Sequence, residues 1–231
     1  MCTVTYIPLD SGNYLFSTSR DEHRDRPDPL PPKKYKVAMN EVCFPKDPVG
    51  GGTWILSNSS YTLCILNGAF TPHKRTPPYR ESRGLIPLHF IESGNSTHFL
   101  KNYRFDGIEA FTLVIVSDKR KEVEEIRWDQ ENIHYRKIDP RKPAIWASAP
   151  LYTREMQNMR KKWFSAFLSE HPLPKTKDLL KFYIEYGNGN PHSGLIINRN
   201  NGVRTGSICC IERIQPKKKM HYWERGIHFD Q

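Results

Sequence analysis

The sequence predicts an α+β fold in which antiparallel sheets are covered by helices. Apolar runs of strand length come in pairs around tight turns. Helical periodicity is confined to three separate stretches, and the strand–helix–strand alternation that builds a parallel sheet is missing. With 231 residues, 37% of them hydrophobic, the chain can bury one sizeable core, so a single domain over 1–231 is expected.

Residues 3–8 and 14–20 read as the first hairpin, turning at Asp10-Ser11-Gly12-Asn13. Arg26 to Pro32 reads as a proline-rich loop, because proline fixes φ and removes an amide donor. More loop is expected up to Gly50-Gly51-Gly52. A second hairpin then runs from Thr53-Trp54-Ile55-Leu56 through Asn58-Ser59-Ser60 to Tyr61-Thr62-Leu63-Cys64-Ile65-Leu66. A helix is expected around 83–93, its start delayed by Pro87. Phe111 to Val116 is a buried strand, returned by Ser117–Lys121 to a partner ending near Trp128. From Thr153 to Leu168, Met156, Met159, Trp163, Phe164 and Phe167 fall at helical spacing, a core-facing stripe behind a Thr153 N-cap. Asp178 to Tyr186 is a shorter helix closed by Gly187, and Gly187-Asn188-Gly189-Asn190 reads as a loop. Strands return at 194–198, 204–214 and 219–224.

The net charge is +10 and the pI is near 9.4. Its basic stretches, Lys33-Lys34, Lys119-Arg120-Lys121, Arg160-Lys161-Lys162 and Lys217-Lys218-Lys219, are scattered over sites read as turns and solvated helix faces. No nucleic-acid-binding motif accompanies them, so nucleic acid is not an expected partner and an anionic small ligand fits the charge better. No apolar run reaches the roughly 20 residues of a bilayer span, and residues 1–7 lack a basic n-region, so no stable membrane insertion and a cytoplasmic location are expected. Five cysteines without a CxxC pair argue against a disulfide framework or a cysteine zinc site. Cys64 and Cys210 lie in apolar strands and read as small core residues. His89 and His98 match no metal spacing, so no metal site is assigned. The oligomeric state is not legible.

Cys2 follows the initiator methionine. Removal of Met1 would put a thiol and an α-amine on one residue, and an amine with a pKa near 7.7–8.0 can accept a proton at neutral pH. In a hairpin the end of the second strand lies beside the start of the first, which brings Arg20 and Asp21 toward Cys2. A guanidinium there favours thiolate, and a carboxylate can hold the α-ammonium.

These residues sit in a pattern that resembles a known family. Ser19-Arg20-Asp21-Glu22, followed by Arg26-Pro27, resembles the Asn-Arg-Asp-Glu signature of the NRDE, or transport-and-Golgi-organisation, family. Met1-Cys2, Gly51-Gly52-Thr53-Trp54, Leu66-Asn67, Arg83-Gly84 and Val203-Arg204-Thr205 follow in the family's order, to about residue 225. The family is similar to N-terminal nucleophile (Ntn) hydrolases of the choloylglycine hydrolase and penicillin V acylase type. The resemblance implies an αββα four-layer sandwich of two antiparallel sheets. It implies a catalytic set of Cys2 as nucleophile, Arg20 and Asp21 as flanking charges, Asn67 as oxyanion-hole amide and Arg204 as a late pocket arginine. Trp54 and Ser148 are the implied ligand contacts. Related acylases carry asparagine where Ser148 stands here, and serine is the shorter donor. Two functions follow. One is an N-terminal-cysteine amidohydrolase for non-peptide C–N bonds. The other is a non-catalytic binding or trafficking protein for haem or acyl-CoA/lipid ligands, with haem a candidate ligand and no cofactor otherwise expected.

Overall fold

A computed structural model describes residues 3–187 and 190–226. Cys2 and the middle of the 187–190 loop lie outside the described residues. In chain order the elements are β1 (Thr3–Pro8), β2 (Tyr14–His23), β3 (Leu30–Val37), β4 (Asn40–Lys46), β5 (Ile55–Ser57), β6 (Tyr61–Asn67), α1 (Ile86–Ser93), α2 (Ser96–Asn102), β7 (Phe111–Ser117), β8 (Glu122–Trp128), β9 (Ile133–Ile138), β10 (Ala144–Ala147), α3 (Arg154–Glu170), α4 (Thr176–Glu185), β11 (Val203–Ile214) and β12 (Lys217–Glu224). They form two antiparallel sheets and four α-helices, the predicted α+β class. By contacts the chain divides into two compact units, 28–140 and the segments on either side of it.

The outer segments build a five-stranded sheet in the order β10-β1-β2-β11-β12. The first hairpin forms as expected, with Val4 opposite Thr18 and Pro8 opposite Tyr14. Side chains alternate between faces along a strand. Ile7, Leu15, Ile208 and Cys210 turn to one face and form a core with Phe164 and Phe167 of α3 and Leu179, Phe182 and Tyr183 of α4. Each fully buried aromatic or aliphatic side chain there contributes roughly 1.5–3 kcal/mol. Thr153 caps α3 by accepting from the Met156 N–H at 3.3 Å. The expected strand at 194–198 is not one. Only the bridge Asn198–Arg204 forms, because Thr205 takes both backbone groups of Ile197, its N–H donating to the carbonyl and its Oγ1 accepting the amide.

The middle segment builds a seven-stranded sheet in the order β3-β4-β5-β6-β7-β8-β9. The second hairpin pairs Ile55 with Cys64 and Ser57 with Thr62. Pro87 stands in the first turn of α1, where its missing N–H has no helical partner to lose. The region read as loop after Arg26 holds the hairpin β3–β4 instead. β3 begins inside the proline-rich stretch, and its register shifts between Leu30 and Lys33, where Pro31 and Pro32 stand. Prolines are tolerated because β3 is an edge strand whose outer amides need no ladder partner. Helix α2 and strands β9 and β10 are further elements beyond the predicted set. No helix among the described residues is long and apolar enough to cross a membrane.

Candidate active site

The first unit fixes the start of the chain through one residue. Thr3 is fully buried and engages three side chains. Its N–H donates to Ser19 Oγ at 3.2 Å, its carbonyl accepts from the Tyr183 hydroxyl at 3.3 Å, and its Oγ1 accepts from Arg160 Nε at 3.1 Å. Ser19, the residue opposite the chain start in the first hairpin, thus binds the backbone next to Cys2. Helices α3 and α4 each add one further tether.

Arg20 and Asp21 follow Ser19 and are 5% and 1% exposed. A charged strand end in solvent would have been the commoner outcome. Strand alternation separates the two across the sheet. Asp21 lies on the helix-covered face, where Tyr152 donates its phenol hydrogen to Oδ2 and Thr205 donates to Oδ1 at 2.6 Å. The Tyr152 ring lies under the Arg160 guanidinium, 3.6 Å from its centroid. Arg160 is 0% exposed and also donates to the Met156 and Gly194 carbonyls, at 3.3 and 2.7 Å. Burial and the neighbouring Asp21 push the Tyr152 hydroxyl well above its ordinary pKa, so it stays a donor. Asp21 is therefore held as an acceptor in a network that ends on Thr3.

Arg20 lies on the opposite face with Phe16 and Thr18. Its guanidinium is 3.5 Å from Glu22, which Arg26 also approaches at 3.8 Å. Arg204 stands opposite Glu22 in the β2–β11 register, so the late arginine of the sequence pattern joins this cluster. Ser207 stands opposite both Arg20 and Glu224. Ser148, just past β10, is 1% exposed, and its carbonyl accepts from the Leu151 and Tyr152 amides. Arg20, Asp21, Arg204 and Ser148 thus all belong to the first unit.

Trp54 and Asn67 belong to the second unit, where the remaining sequence motifs converge. The Thr53 N–H donates to the Gly84 carbonyl at 2.8 Å, and the Ile65 N–H donates to the Trp54 carbonyl at 2.9 Å. Gly52 must be glycine: a Cβ there would stand 2.1 Å from the Gly84 oxygen. Asn67 ends β6 opposite Phe111 and is 9% exposed. Gly68 follows with φ of 77°, so the chain turns at once. Its N–H donates to the Ala110 carbonyl at 2.9 Å, and its own carbonyl accepts from Thr112 Oγ1 at 2.8 Å. Arg83 Nη1 donates to the same Ala110 carbonyl at 3.1 Å. Gly-Gly-Thr-Trp, Leu-Asn and Arg-Gly are separate in sequence but form one backbone junction.

Arg160, Tyr152 and Thr205 are the site residues that sequence reasoning missed. Arg160 stood in a basic triplet read as a solvated face, yet it is the largest fully buried side chain among the described residues. A signal was present: position 160 lies on the helical stripe of 156, 159, 163, 164 and 167, where a charge has no solvent to face. Among the described residues, no group of three or more His, Cys, Asp or Glu could hold a metal ion.

The fold is similar to that of a conjugated bile acid hydrolase from Clostridium perfringens, solved as a mutant with alanine in place of cysteine at position 2. The TM-score is 0.56 over 97% of this chain and 92% of that one, at 8% sequence identity. At that identity the likeness is one of fold, the Ntn hydrolase fold. No curated protein sequence matches significantly. The family model described as Transport and Golgi organisation 2 matches residues 1–179. The chain belongs to the Transport and Golgi organisation 2 family.

Proposed function

We propose that this protein is an N-terminal-cysteine amide hydrolase acting on a non-peptide C–N bond of a small anionic substrate. The observation that carries the reading is the anchoring of Thr3, the residue bonded to Cys2, by Ser19, Arg160 and Tyr183. Three side chains on one strand-start residue fix the backbone from which a nucleophile would project, which is what positional catalysis requires. Burial of Arg20 one residue beyond Ser19 supports it, since a cation held there would favour thiolate.

In this reading the α-amine takes the Cys2 thiol proton and the thiolate attacks the amide carbonyl carbon. The carbonyl electron pair moves to oxygen, where a backbone N–H donates to it. As the C–N bond breaks, the ammonium returns the proton to the leaving amine. Water then releases the acid and restores the thiol. The reading needs the thiol on the face of Arg20, the face that Val4 and Tyr6 take. Arg20 would favour thiolate, and Arg20 with Arg204 would receive an acidic substrate group. The fold neighbour carries its substitution at a cysteine in position 2, which supports testing the same position here.

The test uses untagged protein whose intact mass shows loss of Met1. Wild type and Cys2→Ala are compared on N-acylglycines of graded chain length, with circular dichroism as the folding control. Turnover lost in a folded Cys2→Ala variant is the expected result, and equal turnover in both would overturn the reading. A second reading starts from Ser148, which is buried and which the family resemblance matches to the asparagine of related acylases. A site short of one donor would bind without turning over, with haem or acyl-CoA as the ligand class. Saturable haem binding with a Soret shift, and no hydrolysis, would support that alternative.

A further inference from the structure

The Arg20 face of the five-stranded sheet carries two hydroxyls that the fold itself does not use. Residues paired across an antiparallel ladder share a face. The register therefore sets Arg20 of β2, Ser207 of β11 and Glu224 of β12 in one row. Tyr222, opposite Cys209, lies one step along the same face. All three strands belong to one sheet of the first unit. Ser207 is 1% exposed. Its Oγ and the Tyr222 hydroxyl are both buried, and neither has a hydrogen-bond partner among the described residues. Other buried hydroxyls of this sheet are paired: Thr5 with Ser17 at 2.6 Å, Thr18 with the Ser19 carbonyl at 3.0 Å and Thr205 with Asp21 at 2.6 Å. An unpaired buried hydroxyl costs roughly 1–3 kcal/mol, so two on one face call for a reason. Burial raises the Tyr222 hydroxyl well above its ordinary pKa, so it remains a donor. The surroundings are net cationic: Arg20, Arg26, Arg204 and Arg225 gather there against Glu22 and Glu224.

We infer that Ser207 and Tyr222 are ligand-binding residues, which together with Arg20 form a subsite for a single carboxylate group. A carboxylate accepts through both of its oxygens. One suits the Arg20 guanidinium and the other suits the two hydroxyls. The neighbouring Glu22 and Glu224 select charge, because they oppose a phosphate dianion more strongly than a monoanion. Tyr222 stands on β12, an edge strand, and its side chain is half-buried, so its rotation opens both oxygens without breaking the ladder. The inference rests on the proposed function only for its acidic substrate, and it adds the groups that read the acid. Because the hydroxyls serve the ligand and not the fold, removing them should weaken binding at no cost in stability.

The experiment uses the full chain carrying Cys2→Ala, which separates binding from turnover. Isothermal titration calorimetry compares N-decanoylglycine with its uncharged analogue N-decanoylglycinamide, with inorganic phosphate as competitor. Ser207→Ala, Tyr222→Phe and the pair together are added to the Cys2→Ala protein. The acid should bind on the order of a hundredfold more tightly than the amide. Each added substitution should weaken the acid about tenfold and move the amide by less than about twofold. Excess phosphate should not displace the acid. Melting temperatures of the unliganded variants should equal or exceed that of Cys2→Ala. Equal or absent binding of acid and amide, an acid preference kept in the double variant, or displacement by phosphate would each overturn the inference. So would a lowered melting temperature, which would make the hydroxyls structural. Hydrolysis of N-acylglycines by wild type, measured separately, distinguishes the two levels. Turnover alongside any of those failures leaves the hydrolase standing without this subsite. Hydroxyl-dependent acid binding without turnover keeps the subsite and overturns the hydrolase.

Discussion

Tyr152 gives its phenol hydrogen to Asp21, and the same ring carries the Arg160 guanidinium 3.6 Å from its centroid. One aromatic side chain thus couples a buried cation to a buried anion that it does not touch. Tyr152→Phe keeps the platform and removes the donor. It should cost roughly 1–3 kcal/mol, the price of an unsatisfied buried acceptor. Arg160→Met should cost more, roughly 3–5 kcal/mol, because Thr3 Oγ1 and the Met156 and Gly194 carbonyls lose their charged donor together. Urea unfolding of both variants checks the order. Equal stability of wild type and Arg160→Met would show that the network does not hold the fold.

Gly52 and Gly94 make a matched pair for backbone substitution. A Cβ at Gly52 meets backbone atoms of Gly84 and Leu85 at 2.1–2.7 Å, which no rotamer change relieves. Gly94 has open space around it and only a positive φ of 78° to satisfy. Gly94→Ala should therefore cost about 1 kcal/mol. Gly52→Ala should cost about 3 kcal/mol. Thermal melts of the two variants check the order.

His89 closes a clasp between α1 and the segment before it. Nδ1 lies 3.0 Å from Glu92 and Nε2 lies 3.0 Å from Glu81, whose other oxygen accepts from the Tyr103 hydroxyl. Burial works to lower the imidazole pKa, but the two carboxylates outweigh it and the net shift is upward. The clasp's contribution is fully present below the unfolded histidine value of about 6.5. It is lost as pH rises through the higher folded value. An NMR titration of His89 and melting temperatures against pH should move together, and Glu81→Gln should flatten both.

Glu125 behaves in the opposite sense. Burial raises its pKa, but Arg127 and Arg136, each bonding both of its oxygens, outweigh that and bring it down to about 2. Its stabilisation is present above the ordinary glutamate value and disappears as pH falls from there to about 2. Glu125→Gln should remove about 2 kcal/mol of acid-sensitive stability, read as a shallower loss of melting temperature between neutral and acid pH.

The sequence-level reading was strongest where a local rule decides alone. Asn58-Ser59-Ser60 announced the β5–β6 hairpin, because the Asn58 side chain accepts from the Ser60 and Tyr61 amides. Thr153 announced α3 for a similar reason. β3 was hidden because its prolines argue against a strand and only its edge position excuses them. α2 has seven residues, too few to show a helical period. The positions marked by the family pattern, Arg20, Asp21, Asn67 and Arg204, all lie in expected strands or at their ends. Which face each would take was less legible. Asp21 and Arg20 part company because strands alternate, and the partners that claim Asp21 come from 131 and 184 residues along the chain.

The edges of the two sheets explain part of the positive charge. β3 bounds the larger sheet with Lys33, Lys34 and Lys36, β9 bounds its other side with Arg136 and Lys137, and β12 bounds the smaller sheet with Lys217, Lys218 and Lys219. An edge strand offers unpaired amides and carbonyls to any extended segment it meets. Lysines there make a second copy of the same edge an unfavourable neighbour, since the approaching strand would bring its own row of cations. Part of the charge that composition alone would assign to anion binding thus lies where it opposes strand-by-strand aggregation.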